Sequence, residues 1–247
     1  RRAPHVPVID LMTDAPRCDP RSAAYLLAAL VSRTPENSVI IGVVDPGVGT
    51  DRAPVVIRAG ERWLVGPDNG LFERVIQDEP NVQTWAIVWR PPGLSASFHG
   101  RDLFAPVAAR IALGEPFDLD VIDEQSLIGA DWPQELAEVI YVDDFGNAMT
   151  GLDAAALNPA GFLQVAGRRI GYRRTFCDAV PDEPFWYMNS LGLVEIAVNM
   201  GRADAVLGIG IGAPVSRSEE HTSELQSLTH RVCRSGGEKG GGGGGGG

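Results

Sequence analysis

Ser38-Val39-Ile40-Ile41-Gly42-Val43-Val44-Asp45-Pro46-Gly47-Val48-Gly49-Thr50-Asp51-Arg52 is the stretch whose reading decides the fold. Its first half is a run of strand formers, the pattern of a strand buried on both faces of a sheet. Its second half breaks that run with an acid, a proline and two glycines. In open α/β sheets, ligands bind in the crevice beyond the carboxyl ends of the strands. Gly47 and Gly49 permit backbone angles and close approaches that a β-carbon would forbid. The stretch therefore predicts Asp45 at a strand tip, with Arg52 returning towards it before the next strand, Pro54–Ile57. The plain alternative is a tight turn carrying a surface ion pair.

Working outward, Val6–Leu11 reads as a strand, and Asp19-Pro20 opens a helix running to Leu30. Strand, helix, strand predicts a right-handed βαβ unit and a largely parallel sheet. Trp63–Val65 and Trp85–Trp89 add strands. Between them Gly66-Pro67-Asp68-Asn69-Gly70 turns a strand into the helix Leu71–Gln77. Phe98-His99-Gly100-Arg101-Asp102 opens a further helix, Leu103–Leu113, whose N-terminal backbone N–H groups would face the same crevice. Residues 1–113 thus form an α/β domain, and the Pro-, Asp- and Gly-rich residues 114–134 a linker. From Glu138–Val142 onward, short strands at Phe162–Val165, Arg169–Tyr172 and Leu193–Val198 alternate with turns. This predicts a small all-β, barrel-like domain over residues 135–216.

The tail, residues 217–247, is set apart. Arg217–Ser227 resembles a translated sequencing adapter and Gly240–Gly247 is a glycine run, so no fold or function is expected there. Its basic and acidic residues balance, so the net charge of −11 belongs to residues 1–216. That charge disfavours nucleic acid and anionic membrane as partners. No apolar run reaches the length of a membrane span. Before the tail only Cys18 and Cys177 occur, without metal-ligand spacing, which suits a reduced, cytoplasmic setting.

Together, in order and spacing, the motifs resemble the S-adenosyl-L-methionine (SAM) hydroxide adenosyltransferases, adenosine-forming SAM hydrolases related to the fluorinating and chlorinating adenosyltransferases. The matching residues are Val44-Asp45-Pro46-Gly47-Val48-Gly49 with Arg52, Pro67-Asp68-Asn69-Gly70, and Phe98-His99-Gly100-Arg101-Asp102 with Phe104-Ala105-Pro106. In the second domain they are Asp143, Phe145-Gly146-Asn147, Asn189-Ser190 with Gly192, and Glu195-Ile196-Ala197 with Asn199. The resemblance implies an α/β domain joined to a β-barrel domain, assembled as a homotrimer with SAM held between neighbouring subunits. Water or hydroxide attacks C5′ of the adenosyl group, giving adenosine and L-methionine, and no cofactor or metal is needed.

Carried over by residue, the catalytic set falls on Asp45, Arg52 and His99. The implied substrate-binding set is Phe98, Asp143 at the methionine ammonium, Phe145 as a wall, Asn147 at the adenine edge, Ser190 near the methionine carboxylate, and the backbone of Val198 and Met200 by the adenine. The family pattern also includes an N-terminal strand with a ribose-binding acid before the position of Arg1, whose absence is expected to cost activity. Thr150-Gly151 stands where Thr-Asn is frequent in the family. The halogenating relatives carry Tyr-Ser in place of His99-Gly100 and an insertion near the first motif, which favours water over halide here. Three alternatives stay open: a halide-dependent adenosyltransferase, a metal hydrolase using Asp45, Asp51, Asp68, His99 and Asp102, and a non-catalytic SAM- or adenosine-binding module.

Overall fold

The computed structural model describes residues 3–218. The N-terminal half is a sheet covered on both faces by helices. Its elements are α1 (Pro20–Val31), β1 (Val39–Ile41), β2 (Pro54–Ala59), β3 (Arg62–Pro67), α2 (Glu73–Asp78), β4 (Val82–Ile87), α3 (Ala105–Leu113) and β5 (Leu119–Val121). Pro20 occupies the first turn of α1, and the Asp19 side chain caps it by accepting from the Ser22 N–H at 3.0 Å.

The strand order is β1-β3-β2-β4-β5. Only β1 and β3 run parallel, and every other pair is antiparallel. The sheet is therefore mixed, which corrects the expected largely parallel one. The physical reason lies at the first expected strand. Residues 6–11 form no strand, and Val8 and Ile9 are 89% and 78% exposed. A strand former without a neighbour to take its backbone hydrogen bonds does not make a strand. The βαβ unit expected from Val6 onward is thus not seen, while the β2–β3 and β2–β4 ladders supply antiparallel pairing.

Alternation along β2 and β3 explains the unbroken apolar runs. Val55, Ile57 and Leu64 pack with Ala23, Val31, Phe72 and Val75 on the α1–α2 side. Val56 and Val65 point the other way, into Ile87, Leu103, Phe104 and Val107 beneath α3. Residues 114–134, expected as a linker, contribute β5, which pairs with β4 through Ile87↔Leu119 and Trp85↔Val121. Leu127 from the same stretch is buried in the α1–α2 core.

The C-terminal half comprises β6 (Leu136–Val142), β7 (Ala148–Asp153), β8 (Phe162–Val165), β9 (Arg168–Gly171), β10 (Pro184–Met188), β11 (Leu193–Val198), α4 (Ala203–Leu207) and β12 (Val215–Ser218). Two antiparallel sheets, β10-β11-β7-β6 and β12-β8-β9, enclose Leu163, Ile170, Trp186, Val194 and Ile196. Isolated bridges, Glu138↔Pro214 and Tyr172↔Trp186, join the sheets at their edges. A continuous barrel ladder is not formed. Strand β12 crosses the expected boundary at residue 216, and the remainder of the expected tail lies outside the described residues.

The halves are packed together by Tyr25 and Leu26 of α1 against Leu136, Ile140 and Tyr141 of β6. The Tyr25 hydroxyl donates to the Pro133 carbonyl at 2.5 Å, and the Tyr141 hydroxyl to Asp14 at 2.6 Å. Among the described residues no helix is long and apolar enough to cross a membrane.

Candidate active site

Beyond β1 the chain stays in the sheet for one further parallel bond, Gly42 N–H to the Val65 carbonyl at 3.1 Å, and then leaves through Val43 and Val44. The second motif fastens both flanks of the loop that follows. Asn69 donates its amide to the Val44 carbonyl at 2.8 Å, and the Asp68 N–H donates to the Ala53 carbonyl at 2.8 Å. Gly70 is required there: its φ is +89°, and a β-carbon would lie 2.2 Å from the Trp132 ring. Inside the loop the Thr50 hydroxyl and N–H both donate to the Gly47 carbonyl, at 2.7 and 3.1 Å. These turns bring Arg52 back onto Asp45.

The pair is bidentate. Arg52 Nε donates to Asp45 Oδ1 at 2.9 Å and Nη2 to Oδ2. The two side chains are only 7% and 5% exposed. Arg52 Nη2 also meets His99 Nδ1 at 2.9 Å. A guanidinium only donates, so Nδ1 is the acceptor and the imidazole is neutral with its proton on Nε2. Electrostatics agree: burial first, and the Arg52 charge second, push the His99 pKa below the usual imidazole value. The Arg52 guanidinium lies 5.4 Å over the Phe104 ring, which packs edge-on to His99.

His99 stands at the head of a single π-helical turn, Gly100–Phe104, that runs directly into α3. Such turns concentrate at functional sites. This refines the expected helix start at Leu103. Beside the trio lies an open cleft of about 730 Å³, lined by Thr50, Arg52, Ala53, Ile87, Arg90 and His99 among others.

The other carried-over acids take separate partners. Asp68 accepts from the Ile128 N–H at 2.9 Å, and burial raises its pKa. Asp102 accepts from Arg101 at 2.6 Å and from the Ser95 N–H at 3.2 Å. Among the described residues no group of three or more His, Cys, Asp or Glu side chains is placed to hold a metal ion.

The second cluster is the β6–β7 hairpin tip. Asp143 Oδ1 accepts from the Asn147 N–H at 2.8 Å and Oδ2 from the Asn147 side-chain amide at 3.0 Å. Arg202 holds the tip by donating to the Asp144 carbonyl at 2.7 Å. Asn147 is buried, whereas Phe145 stands 77% exposed at the apex. Phe98, of the first domain, is also exposed, beneath the Arg101 guanidinium at 4.8 Å. The Val198 side chain is buried, so what it offers outward is backbone; Met200 follows with φ +64° and is 88% exposed. Ser190 is exposed in the β10–β11 turn, its carbonyl accepting from Arg33 of the first domain at 2.9 Å. None of the described hydrogen bonds or ion pairs joins Asp45, Arg52 or His99 to Asp143, Asn147 or Ser190 within the chain.

Sequence reasoning assigned no role to Glu195, Tyr187 or Asn189, which form a connected polar group across β10, β11 and the turn between them. The available signal was Glu195 itself, an acid inside the otherwise apolar strand Leu193–Val198.

Comparison with known proteins gives a consistent picture. The family model of the SAM hydroxide adenosyltransferase N-terminal domain matches residues 1–120, and that of the C-terminal domain matches residues 137–216. An (R)-S-adenosyl-L-methionine hydrolase of Thermus thermophilus is 40% identical over 234 residues, 87% of this chain and 89% of that protein. One from Salinispora arenicola is 40% identical over 226 residues, 86% of each. A crystal structure of an uncharacterized conserved protein from Thermotoga maritima superposes with a TM-score of 0.78 at 27% identity, covering 88% of this chain and 91% of that one.

Proposed function

The chain belongs to the SAM hydroxide adenosyltransferase family, and from that premise we propose that it hydrolyses SAM to adenosine and L-methionine through Asp45, Arg52 and His99. The observation that carries the assignment is the buried Asp45–Arg52–His99 cluster at the tip of β1. A sulfonium is already a good leaving group, so no acid is needed to expel it. The task is to hold a water in line with the C5′–S bond. The oxygen–C5′ bond forms as the C5′–S bond breaks, the electron pair passes to sulfur, and the water proton is lost. Asp45 orients the water and takes its proton, and the Nε2–H of neutral His99 donates to it. Arg52 fixes both partners, because its guanidinium spans them. This scheme uses no metal or cofactor.

Recognition falls to the second cluster: Asp143 for the methionine ammonium, Phe145 and Phe98 as walls, and Asn147 with the Val198–Met200 backbone for the adenine. Ser190 lies towards the methionine carboxylate. We place the whole site between subunits of a homotrimer. The exposure of Phe98, Phe145 and Met200 supports this, since large apolar side chains around a ligand site are ordinarily covered.

The test is to incubate the protein with SAM, with and without chelator and with chloride, and to resolve the products by chromatography. Chelator-insensitive adenosine and methionine are expected. A chloro-nucleoside would replace this reading with the halide one, loss of turnover with chelator would bring a metal back, and SAM binding without turnover would reduce the chain to a binding module. Light scattering of the same sample reads the trimer.

A further inference from the structure

The most deeply buried acid in the C-terminal half touches none of the residues proposed to meet substrate. Glu195 is 3% exposed at the centre of β11, directly across from Tyr187 on β10 and Met149 on β7, next to a register shift in the β11–β7 ladder. Val194, Ile196 and Val198 face the inter-sheet core. Glu195 therefore faces the opposite side of the sheet. There Phe176, Phe185 and Tyr187 form one aromatic group, while Leu191 and Leu193 pack towards the interface between the halves.

Both carboxylate oxygens are used, each by a different element. Oε1 accepts from the Tyr187 hydroxyl, and Oε2 accepts from the Asn189 side-chain amide at 2.8 Å. That second bond fixes which way Asn189 points. With its NH₂ held by Glu195, its Oδ1 is turned to the following turn, where it accepts from Leu191 N–H at 2.9 Å and Leu193 N–H at 3.0 Å. One amide thus clamps the segment that carries Ser190. Burial pushes the Glu195 carboxyl up, and Asp143 adds to the shift as a nearby like charge. An acid kept in so costly a place needs a structural reason.

We infer that Glu195 is a positioning residue for substrate recognition: it fixes the Asn189 amide, and through it the Ser190 turn that receives the amino-acid end of the substrate. This rests on the assignment of Ser190 to the methionine carboxylate. Glu195 itself touches no substrate in this scheme. Its effect is on binding, not on the displacement at C5′.

Glu195→Leu tests it. Leucine offers no acceptor, so the Asn189 NH₂ and the Tyr187 hydroxyl lose their partner and nothing fixes which way the Asn189 amide points. Glu195→Gln alone would be accommodated, because the Tyr187 hydroxyl can accept from the new amide. Native-state hydrogen exchange should show protection at Leu191 and Leu193 falling about tenfold or more, with the rest of β11 unchanged. KM for SAM should rise about tenfold with kcat nearly unaltered. The double variant Glu195→Gln/Asn189→Asp restores polarity, since the new amide now donates to a carboxylate that still accepts from both N–H groups. It should return protection and KM to within about threefold of the parent.

Unchanged exchange at Leu191 and Leu193 in the single variant would overturn the inference, as would failure of the double variant to recover either quantity. If Glu195→Leu does not fold, Asn189→Ala at its partly exposed position tests the same link, and an unchanged KM there would refute it. Exchange is read without substrate, so a failure of the SAM assignment itself would appear as absent turnover in the parent protein, leaving the positioning result legible.

Discussion

Two polar clusters in this molecule are built to opposite plans. At the tip of β1, Asp45 and Arg52 form a bidentate pair almost wholly withdrawn from solvent, with His99 tied to the same guanidinium. At the β6–β7 tip, Asp143 and Asn147 hold each other by hydrogen bonds, while Phe145 stands out into solvent. The first cluster has its geometry before anything binds. The second has polarity and shape but no cover. The contrast separates the group that would act on a bond from the groups that would hold the molecule containing it.

That separation is most exposed to failure at Asp45. Asp45→Asn should lower kcat about a hundredfold or more, while SAM affinity measured by calorimetry stays within about threefold. Comparable losses in both would mean that the first cluster binds and does not merely act. Asp45→Ala goes further, leaving a buried guanidinium unpaired, and should cost about 3–5 kcal/mol of stability in a urea titration; a cost below 1 kcal/mol would show that the pair is better solvated than its burial implies. The reverse signature belongs to Asn147→Ala, which should raise KM about 10- to 100-fold with a smaller change in kcat. A kcat loss matching that of Asp45→Asn would erase the distinction.

Phe145→Ala sharpens the contrast on the side of cover. KM should rise about three- to tenfold, while unfolding stability shifts by less than about 0.5 kcal/mol. A large stability change would show Phe145 to be a packing residue. The smallest effect concerns pH. Because burial and Arg52 lower the His99 pKa, the unfolded chain takes up that proton at a higher pH than the folded one. The contribution of the neutral ring to stability is therefore full above the ordinary imidazole range and is lost as pH falls through it and below. The difference in Tm between the parent and His99→Gln should narrow between about pH 7 and pH 5. A constant difference would place the proton elsewhere.

The two clusters also differ in how far the sequence disclosed them. The return of Arg52 towards Asp45 was legible from the glycine-rich turn between a strand and its successor, and α1 from Asp19-Pro20. The direction of the sheet was not. Val6–Leu11 has the composition of a strand, but composition is silent on whether a neighbour exists to pair with it. The same blindness ran the other way for β5 and β7, whose short, polar or glycine-containing sequences Leu119–Val121 and Ala148–Asp153 are strands because neighbouring ladders recruit them. Glu195 went without a role because its significance lies in where Asn189 points, and hydrogen-bond polarity leaves no trace in spacing.

One feature at His99 has a consequence for how the first cluster tolerates change. A π turn holds one residue more than the α turn it replaces, so Gly100–Phe104 sets the residues before it out of angular phase with those of α3. Phe104 stays fully buried under the sheet while His99, on the other side of the extra residue, faces Arg52. Deleting one residue from this turn would relax it to an ordinary helix and swing His99 by about 100° around the axis. The imidazole would then leave its guanidinium partner with every side chain of the trio still present. For this cluster, the count of residues along one helical turn is as binding a specification as their identity.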